Sequence, residues 1–140
     1  MPSIIEGWSS RRPAWTAGDG SNNPSLGNGT LLQRWKRVDD QLFIIQKLVI
    51  GSTTTLGTGT WQFDLPERVN NKEMAYFPLS AVAVRSSTIV YPGTALVTYP
   101  FEPLAMVVYF AGGIANPTTP LAWAAGDVLY IGNAIESFAT

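Results

Sequence analysis

Most of the chain after residue 30 either alternates between apolar and polar residues or runs through short apolar stretches, and both patterns are typical of β-strands. The clearest alternation is TWQFDLP at 60–66, which places Trp61 and Phe63 on one face and ends at Pro66. No stretch shows the 3.6-residue periodicity of a helix. The pattern therefore predicts an all-β protein with Trp61 in its core.

Residues 30–50 are predicted to form a β-hairpin. Two β-rich runs, TLLQRWKRV and QLFIIQKLVI, flank Asp39 and Asp40, and aspartate is favoured in tight turns. The first run has polar residues on both faces, which predicts an edge strand or a subunit contact. The second run is apolar on both faces, which predicts a central strand that is covered on both sides.

Further short β-rich runs, separated by proline and glycine, bring the predicted total to about eight strands at spacings typical of sandwiches. We therefore predict a single-domain antiparallel β-sandwich, similar to a jelly roll, over residues 30–140. One predicted break between strands lies at Pro92 and Gly93. Residues 1–29 are rich in Gly, Ser, Asn and Pro, which predicts an extended N-terminal arm or a lead-in strand.

The composition excludes several kinds of metal site, catalytic group and partner. The 140 residues include no cysteine and no histidine, which excludes thiolate metal sites, disulfides and the commonest general base. The formal net charge of −1 gives no field for collecting phosphates, so we expect no nucleic-acid partner. The longest apolar stretch, residues 104–115, is shorter than the roughly 20 residues of a membrane helix, so we expect no membrane insertion.

The candidate catalytic and ligand motifs are better explained as turns. Asp39 and Asp40 form the one adjacent carboxylate pair, but they lie at the predicted hairpin turn, so a carboxylate-based glycan hydrolase is disfavoured. The segment starting at Asp19 resembles half of a calcium loop, but Pro24 stands at the glycine position. The glycine-rich segments lack the lysine of a phosphate-binding loop. We therefore expect no enzyme activity and no cofactor.

Aromatic and basic residues supply candidates for partner binding. Arg34, Lys36 and Arg37 surround Trp35 and are suited either to an anionic or sugar partner or, as a solvated strand face, to ion pairs between subunits. Trp8 and Trp15 lie outside the periodic region, where docking onto a partner and packing within the chain both remain open. The predicted partner-binding residues are Trp8, Arg11, Arg12, Trp15, Arg34, Trp35 and Arg37.

Charge is distributed unevenly along the chain. No lysine or arginine follows Arg85, so the last 55 residues are apolar and β-rich. Exposed apolar strands of this kind promote association, and a closed homo-oligomer covers them. We expect the oligomer interface in this part of the chain.

Three motifs resemble a known family. They lie in the segments 24–66 and 119–136 and are PSLGNGTL, GSTTTLGTGTWQFDLP and WAAGDVL. They resemble motifs in the small β-sandwich domains of virion-surface proteins from tailed bacteriophages, particularly those of actinobacterial hosts. The resemblance implies a trimeric module on the virion surface, used in tail fibres or in capsid decoration, with no catalytic residues.

Two functions follow from this resemblance. A short chain with a Pro/Gly/Trp arm favours a homotrimeric capsid decoration protein whose arm docks on the major capsid protein. The alternative is the receptor-binding tip of a tail fibre that recognises a host-surface glycan through exposed aromatic residues. The N-terminus, with Glu6, Arg11 and Arg12, lacks the apolar core of a signal peptide, so we expect synthesis in the host cytoplasm.

Overall fold

The computed structural model describes residues 8–18, 22–38, 41–66, 76–98 and 105–132, and within these ranges the protein is all-β, as predicted. None of the described segments is a helix that could cross a membrane. Ten strands form, and every pairing between them is antiparallel. The strands are β1 Ser9–Arg11, β2 Trp15–Ala17, β3 Thr30–Val38, β4 Gln41–Val49, β5 Trp61–Asp64, β6 Tyr76–Arg85, β7 Ile89–Thr98, β8 Ala105–Phe110, β9 Gly113–Ile114 and β10 Val128–Gly132.

The strands follow one hydrogen-bonded path, in the order β1-β3-β4-β10-β6-β7-β8-β5-β2, with β9 beside β8. The two ends of this path, β1 and β2, are separated by only residues 12–14 in the chain. The sheet must therefore curl until its ends meet. This single curled sheet does not confirm the predicted sandwich or jelly roll, and residues 8–18 belong to the sheet instead of forming an extended arm.

The predicted hairpin is present as β3 and β4, which pair from Thr30 opposite Val49 to Val38 opposite Gln41. Its predicted turn, Asp39 and Asp40, lies outside the described residues. As predicted, β4 is central, because β3 and β10 flank it. On its other side β3 pairs only with the three-residue β1.

The curled sheet has an inner face, which forms the core, and an outer face. In β4 the side chains of Ile44, Gln46 and Leu48 point inward and are buried. On the outer face Ile45 is half-buried and Lys47 is exposed. The prediction that both faces of this strand are covered is therefore not met within the described residues, because the sheet packs against itself on one side only.

The predicted break at Pro92 and Gly93 is wrong, since β7 runs continuously through both residues. Pairing with β8 begins only at Gly93, so Pro92 has a neighbouring strand on one side, a position in a sheet that tolerates proline. A Cβ at Gly93 would lie 2.7 Å from the ring of Phe110. The glycine thus makes room for Phe110 to pack across the strand.

A chain of aromatic rings forms the centre of the core. The centroids of Trp15 and Trp61 lie 5.0 Å apart, those of Trp61 and Trp123 lie 5.1 Å apart, and Phe63 stacks on Trp15 at 6.2 Å. Trp61 is fully buried, as predicted, and its Nε1 donates a hydrogen bond to the Leu56 carbonyl. The rings join β2, β5 and the loop before β10 into one packed unit.

Two of the glycine-rich motifs interlock as structural loops. The backbone N–H of Asn28 donates to Thr53 Oγ1 at 2.8 Å, and the Thr53 N–H donates to Asn28 Oδ1 at 3.0 Å. Gly27 adopts a φ of 54°, and a Cβ there would lie 2.4 Å from the Thr53 carbonyl oxygen. The close approach of these two loops accounts for glycine at this position.

Asp127, in the third motif, is almost fully buried and is held by Arg85. Arg85 donates from Nε to Oδ1 at 2.9 Å and from Nη2 to Oδ2 at 2.7 Å. The Ala124 N–H also donates to Oδ2. Burial acts to raise the pKa of the Asp127 carboxyl, but the hydrogen bonds from Arg85 and Ala124 outweigh it and lower that pKa below its usual value.

Because the pKa of Asp127 is lower in the folded chain, its contribution to stability is present above the unfolded-state pKa, about 3.9, and is lost as the pH falls through the folded-state value. We expect Asp127→Asn to lower the free energy of unfolding at pH 7 by about 1–3 kcal/mol. The variant should also lose less stability than the wild type below about pH 4. Urea unfolding between pH 2 and pH 7 measures both effects, and equal acid slopes would contradict the assignment.

Candidate functional site

The two ends of the curled sheet meet at a seam, with β1 and β3 on one side and β5 and β2 on the other. Arg11 on β1 crosses it: Nη2 donates to Asp64 Oδ1 at 3.1 Å and to Oδ2 at 3.2 Å. The Nη1 of Arg11 donates to Gln33 Oε1 at 2.7 Å. Gln33 crosses the seam as well, since its Nε2 donates to the Asp64 carbonyl at 3.1 Å. Side-chain hydrogen bonds thus join the two ends of the sheet, between which no ladder of backbone hydrogen bonds runs.

The short link between β1 and β2 completes this polar network. Asp64 Oδ1 accepts a hydrogen bond from the Ala14 N–H at 2.8 Å, and the Asp64 N–H donates to the Ala14 carbonyl at 3.2 Å. In addition, the Nε2 of the buried Gln33 donates a hydrogen bond to Oε1 of Gln46, which is also buried, at 2.9 Å. These hydrogen bonds tie together the strands they join, although the Nε2 of Gln46 is buried and has no hydrogen-bond partner.

A cleft of about 490 Å³ opens along the seam. One wall is apolar, and Arg11, Arg12 and Asp64 supply charged groups beside it. The lining residues are Arg11, Arg12, Pro13, Ala14, Trp15, Pro24, Ser25, Leu26, Leu31 and Asp64. The exposed surface of the cleft is more polar than apolar, because Trp15, Leu26 and Leu31 are each less than a tenth exposed. A concavity with several convergent polar groups is one form that a small-ligand site takes.

The charged groups of the cleft are suited to binding a ligand. Its carboxylate, Asp64, is held in an ion pair with Arg11 and receives a backbone hydrogen bond. Within the described ranges no three potential ligands among His, Cys, Asp and Glu lie together as a metal site. Arg12 is exposed at the cleft and offers its guanidinium to a hydroxyl or an anion.

Three of the residues predicted to bind a partner, Arg11, Arg12 and Trp15, line this cleft together. Trp15 is only 8% exposed and packs on Trp61 and Phe63, so packing within the chain accounts for most of its surface. Its Nε1 is buried and has no hydrogen-bond partner. A role of these residues in partner binding stays a prediction.

The other four predicted residues lie on and beside β3, on two different faces. Trp35 and Arg37 alternate with Arg34 along the strand and lie on the inner side, where Trp35 is half-buried. Arg34 lies on the outer face, where its guanidinium carbon is 5.6 Å from the centroid of the Trp8 ring. The basic and aromatic cluster expected around Trp35 thus forms around Trp8.

Sequence reasoning missed Gln33 and Asp64. Gln33 lies between the apolar Leu31 and Trp35 on the inward face of β3, and an amide between apolar neighbours is the signal that another buried polar group satisfies it. No local pattern links Asp64 to Arg11, because 53 positions separate them.

One curated relative is similar to this chain. It is the "Mu-like prophage FluMu defective tail fiber protein" of Haemophilus influenzae, 30% identical over 112 residues. The match covers 79% of this chain and 18% of that protein, so the chain spans about a fifth of the relative's length. No protein-family model matches the chain, and no solved structure matches it.

The similarity supports a phage structural role and a place in the virion. It favours the tail-fibre alternative over capsid decoration, because the relative is described as a tail fibre protein. The actinobacterial association of the motifs is not confirmed by this relative.

The seam network generates a stability prediction. Replacing Asp64 by alanine removes the partner of Arg11 and the acceptor of the Ala14 N–H. We expect the free energy of unfolding to fall by only about 1–2 kcal/mol, because the side chains of Arg11 and Asp64 are both partly exposed to water. Amide hydrogen exchange should accelerate most in β1 and β2, which the network joins.

Arg12→Ala is the matched control, since it removes an exposed arginine next to the same network. It should change the free energy of unfolding by no more than about 0.5 kcal/mol. Exchange that rises evenly over all strands in Asp64→Ala would show that the network does not hold the seam.

Proposed function

We propose that this chain is a receptor-contacting domain of a phage tail fibre and that it binds a host-surface glycan without catalysing a reaction. The similarity to a tail fibre protein over 79% of the chain carries the proposal. The cleft at the seam supports it, because its size and mixed lining suit a sugar unit. On this proposal the domain is made in the host cytoplasm and is displayed on the virion surface.

The lining of the cleft gives each part of a sugar a partner. Pro24 is half-buried and offers ring surface to the C–H groups of a sugar, while the Ser25 hydroxyl and the Arg12 guanidinium suit its hydroxyls. Arg11 and Asp64 are already fixed by one another, so they are oriented before a ligand arrives. Such preorganisation lowers the entropic cost of binding.

A binding role without catalysis agrees with the carboxylates in the described part of the chain. Asp64 and Asp127 are both held by arginine, in ion pairs of 3.1 and 2.7 Å. They lie at different places in the sheet, and neither faces a second carboxylate among the described residues. Glycan hydrolysis requires two carboxyl groups facing one cleft.

Our proposal includes a homotrimer that packs through the outer face of β7 and β8. Val90 is 54% exposed and Tyr109 is 41% exposed on this face, although both are large apolar residues. A continuous apolar row crosses four strands, because each of its residues pairs with the next. It runs from Val90 on β7 through the half-buried Val84, Val128 and Val49 on β6, β10 and β4. Closed symmetry would cover such a surface, and this part of the sequence carries no lysine or arginine after Arg85.

Co-sedimentation tests the location and the partner together. The purified chain should pellet with cells of the bacterium that the phage infects and should remain in the supernatant with undecorated capsids. Ser25→Trp, which fills the cleft, should reduce cell binding about tenfold, while Ala125→Trp, an exposed position outside the cleft, should leave it unchanged. Binding to capsids and not to cells would instead establish the decoration role.

Light scattering tests the oligomer. We expect a mass of three times the 15.2 kDa chain for the wild type. Val90→Asp should shift the mass toward one chain, because it would bury a charge in the apolar interface. Thr55→Asp, on an exposed loop, is the control and should remain trimeric. A monomeric wild type would refute the trimer.

A further inference from the structure

The outer face of the sheet carries a strip of cations and aromatic rings that shares no residue with the cleft lining. Trp8 lies beside β3, with Lys36 Nζ at 4.9 Å from its ring centroid, close to Arg34 as described above. On β4, Lys47 Nζ lies 5.7 Å from the ring centroid of Tyr130 on β10. The basic strip is therefore defined by Trp8, Arg34, Lys36, Lys47 and Tyr130.

The register of the strands makes these residues one continuous surface. Lys47 pairs with Leu32 on β3 and with Tyr130 on β10. Arg34 is two residues beyond Leu32 on the same face, so its Cα is a diagonal neighbour of Lys47, about 7–8 Å away. An extended ligand lying across β3, β4 and β10 would contact both cations and both rings.

The charges of Arg34 and Lys47 are not balanced by the carboxylates in the described part of the chain. Those carboxylates are Asp64 and Asp127, and both form ion pairs with other arginines. Arg34 and Lys47 are exposed, and the contacts described for them are with aromatic rings. Contact with a ring orients a cation without neutralising it, so both keep their charge available for an anion.

The two aromatic rings indicate what carries the anionic groups. Tyr130 is 40% exposed and Trp8 is partly exposed, so each presents ring surface to solvent next to a cation. Aromatic side chains with a polar or charged neighbour suit ligands that are apolar on one side and polar on the other. A sugar ring with a charged substituent has this character.

We propose that the basic strip binds an anionic polysaccharide, with Arg34 and Lys47 contacting its charged groups and Trp8 and Tyr130 contacting its sugar rings. The proposal rests on the glycan-binding function proposed above and specifies the class of glycan as acidic. A nucleic acid is disfavoured, since the strip has three cations and the whole chain has a formal net charge of −1.

Binding of the full chain to immobilised polymers tests the proposal. Alginate, a polysaccharide with a carboxylate on each sugar, is the probe, and neutral dextran and single-stranded oligo-dT are compared with it. We expect binding to alginate, little binding to dextran and weaker binding to oligo-dT. Raising sodium chloride from about 50 to about 300 mM should weaken alginate binding several-fold, because exposed charges are screened.

The double variant Arg34→Gln, Lys47→Gln should reduce alginate binding about tenfold, because two charge-assisted contacts are lost. Both residues are exposed, so its thermal unfolding should match that of the wild type. Ala125→Asp, which lowers the net charge at an exposed position outside both the strip and the cleft, is the control and should change binding less than about twofold. Tyr130→Leu should weaken alginate binding while it leaves binding to inorganic polyphosphate unchanged.

Equal binding to alginate and dextran, tighter binding to oligo-dT, or full alginate binding by the double variant would each overturn the proposal. The failures of the two proposals are distinguishable. If host cells bind the wild type and the double variant equally, the tail-fibre function stands and the basic strip is not the contact. If alginate binding depends on the strip but host cells do not bind, the proposed receptor function fails and the anion site stands.

Discussion

The whole structure depends on the closure of one sheet by a three-residue link. β1 and β2 lie at opposite ends of the strand order, yet only residues 12–14 separate them in the chain. Once both strands are paired, this short link forces the sheet to curl, and the inner face of the curled sheet becomes the core. Arg11, Gln33 and Asp64 then supply the contacts where backbone pairing does not continue across the seam. The fold is set by connectivity as much as by the burial of apolar surface.

Closure also divides the surface into regions with different chemistry. The seam interrupts the ladder, and the gap becomes a cleft with charged groups beside an apolar wall. The outer face carries the exposed Val90 and Tyr109 toward one end. Arg34 and Lys47 lie toward the other end, beside aromatic rings. The apolar row proposed for the trimer ends at Val49, two residues from Lys47 on the same strand, so the two surfaces adjoin.

Local patterns predicted local structure well and long-range arrangement poorly. The β3–β4 hairpin, the central place of β4 and the burial of Trp61 followed from alternation and composition. The break predicted at Pro92 and Gly93 failed, because whether a strand tolerates proline depends on where its neighbour ends, which no local pattern contains. For the same reason the cleft could not be predicted from local patterns, because Arg11 and Asp64 come together only when the sheet closes. No local pattern placed Trp8 beside Arg34, because their contact depends on the pairing of β1 with β3.

The position of β10 has a consequence for how the chain folds as it is synthesised. This strand, Val128–Gly132, lies in the middle of the sheet between β4 and β6, although it comes last among the described strands. Until the ribosome has released it, the β3–β4 hairpin and the strands from β6 onward have no ladder to join them. The nascent chain therefore holds two open strand edges, which are prone to aggregation, and the sheet is completed only after β10 has been synthesised.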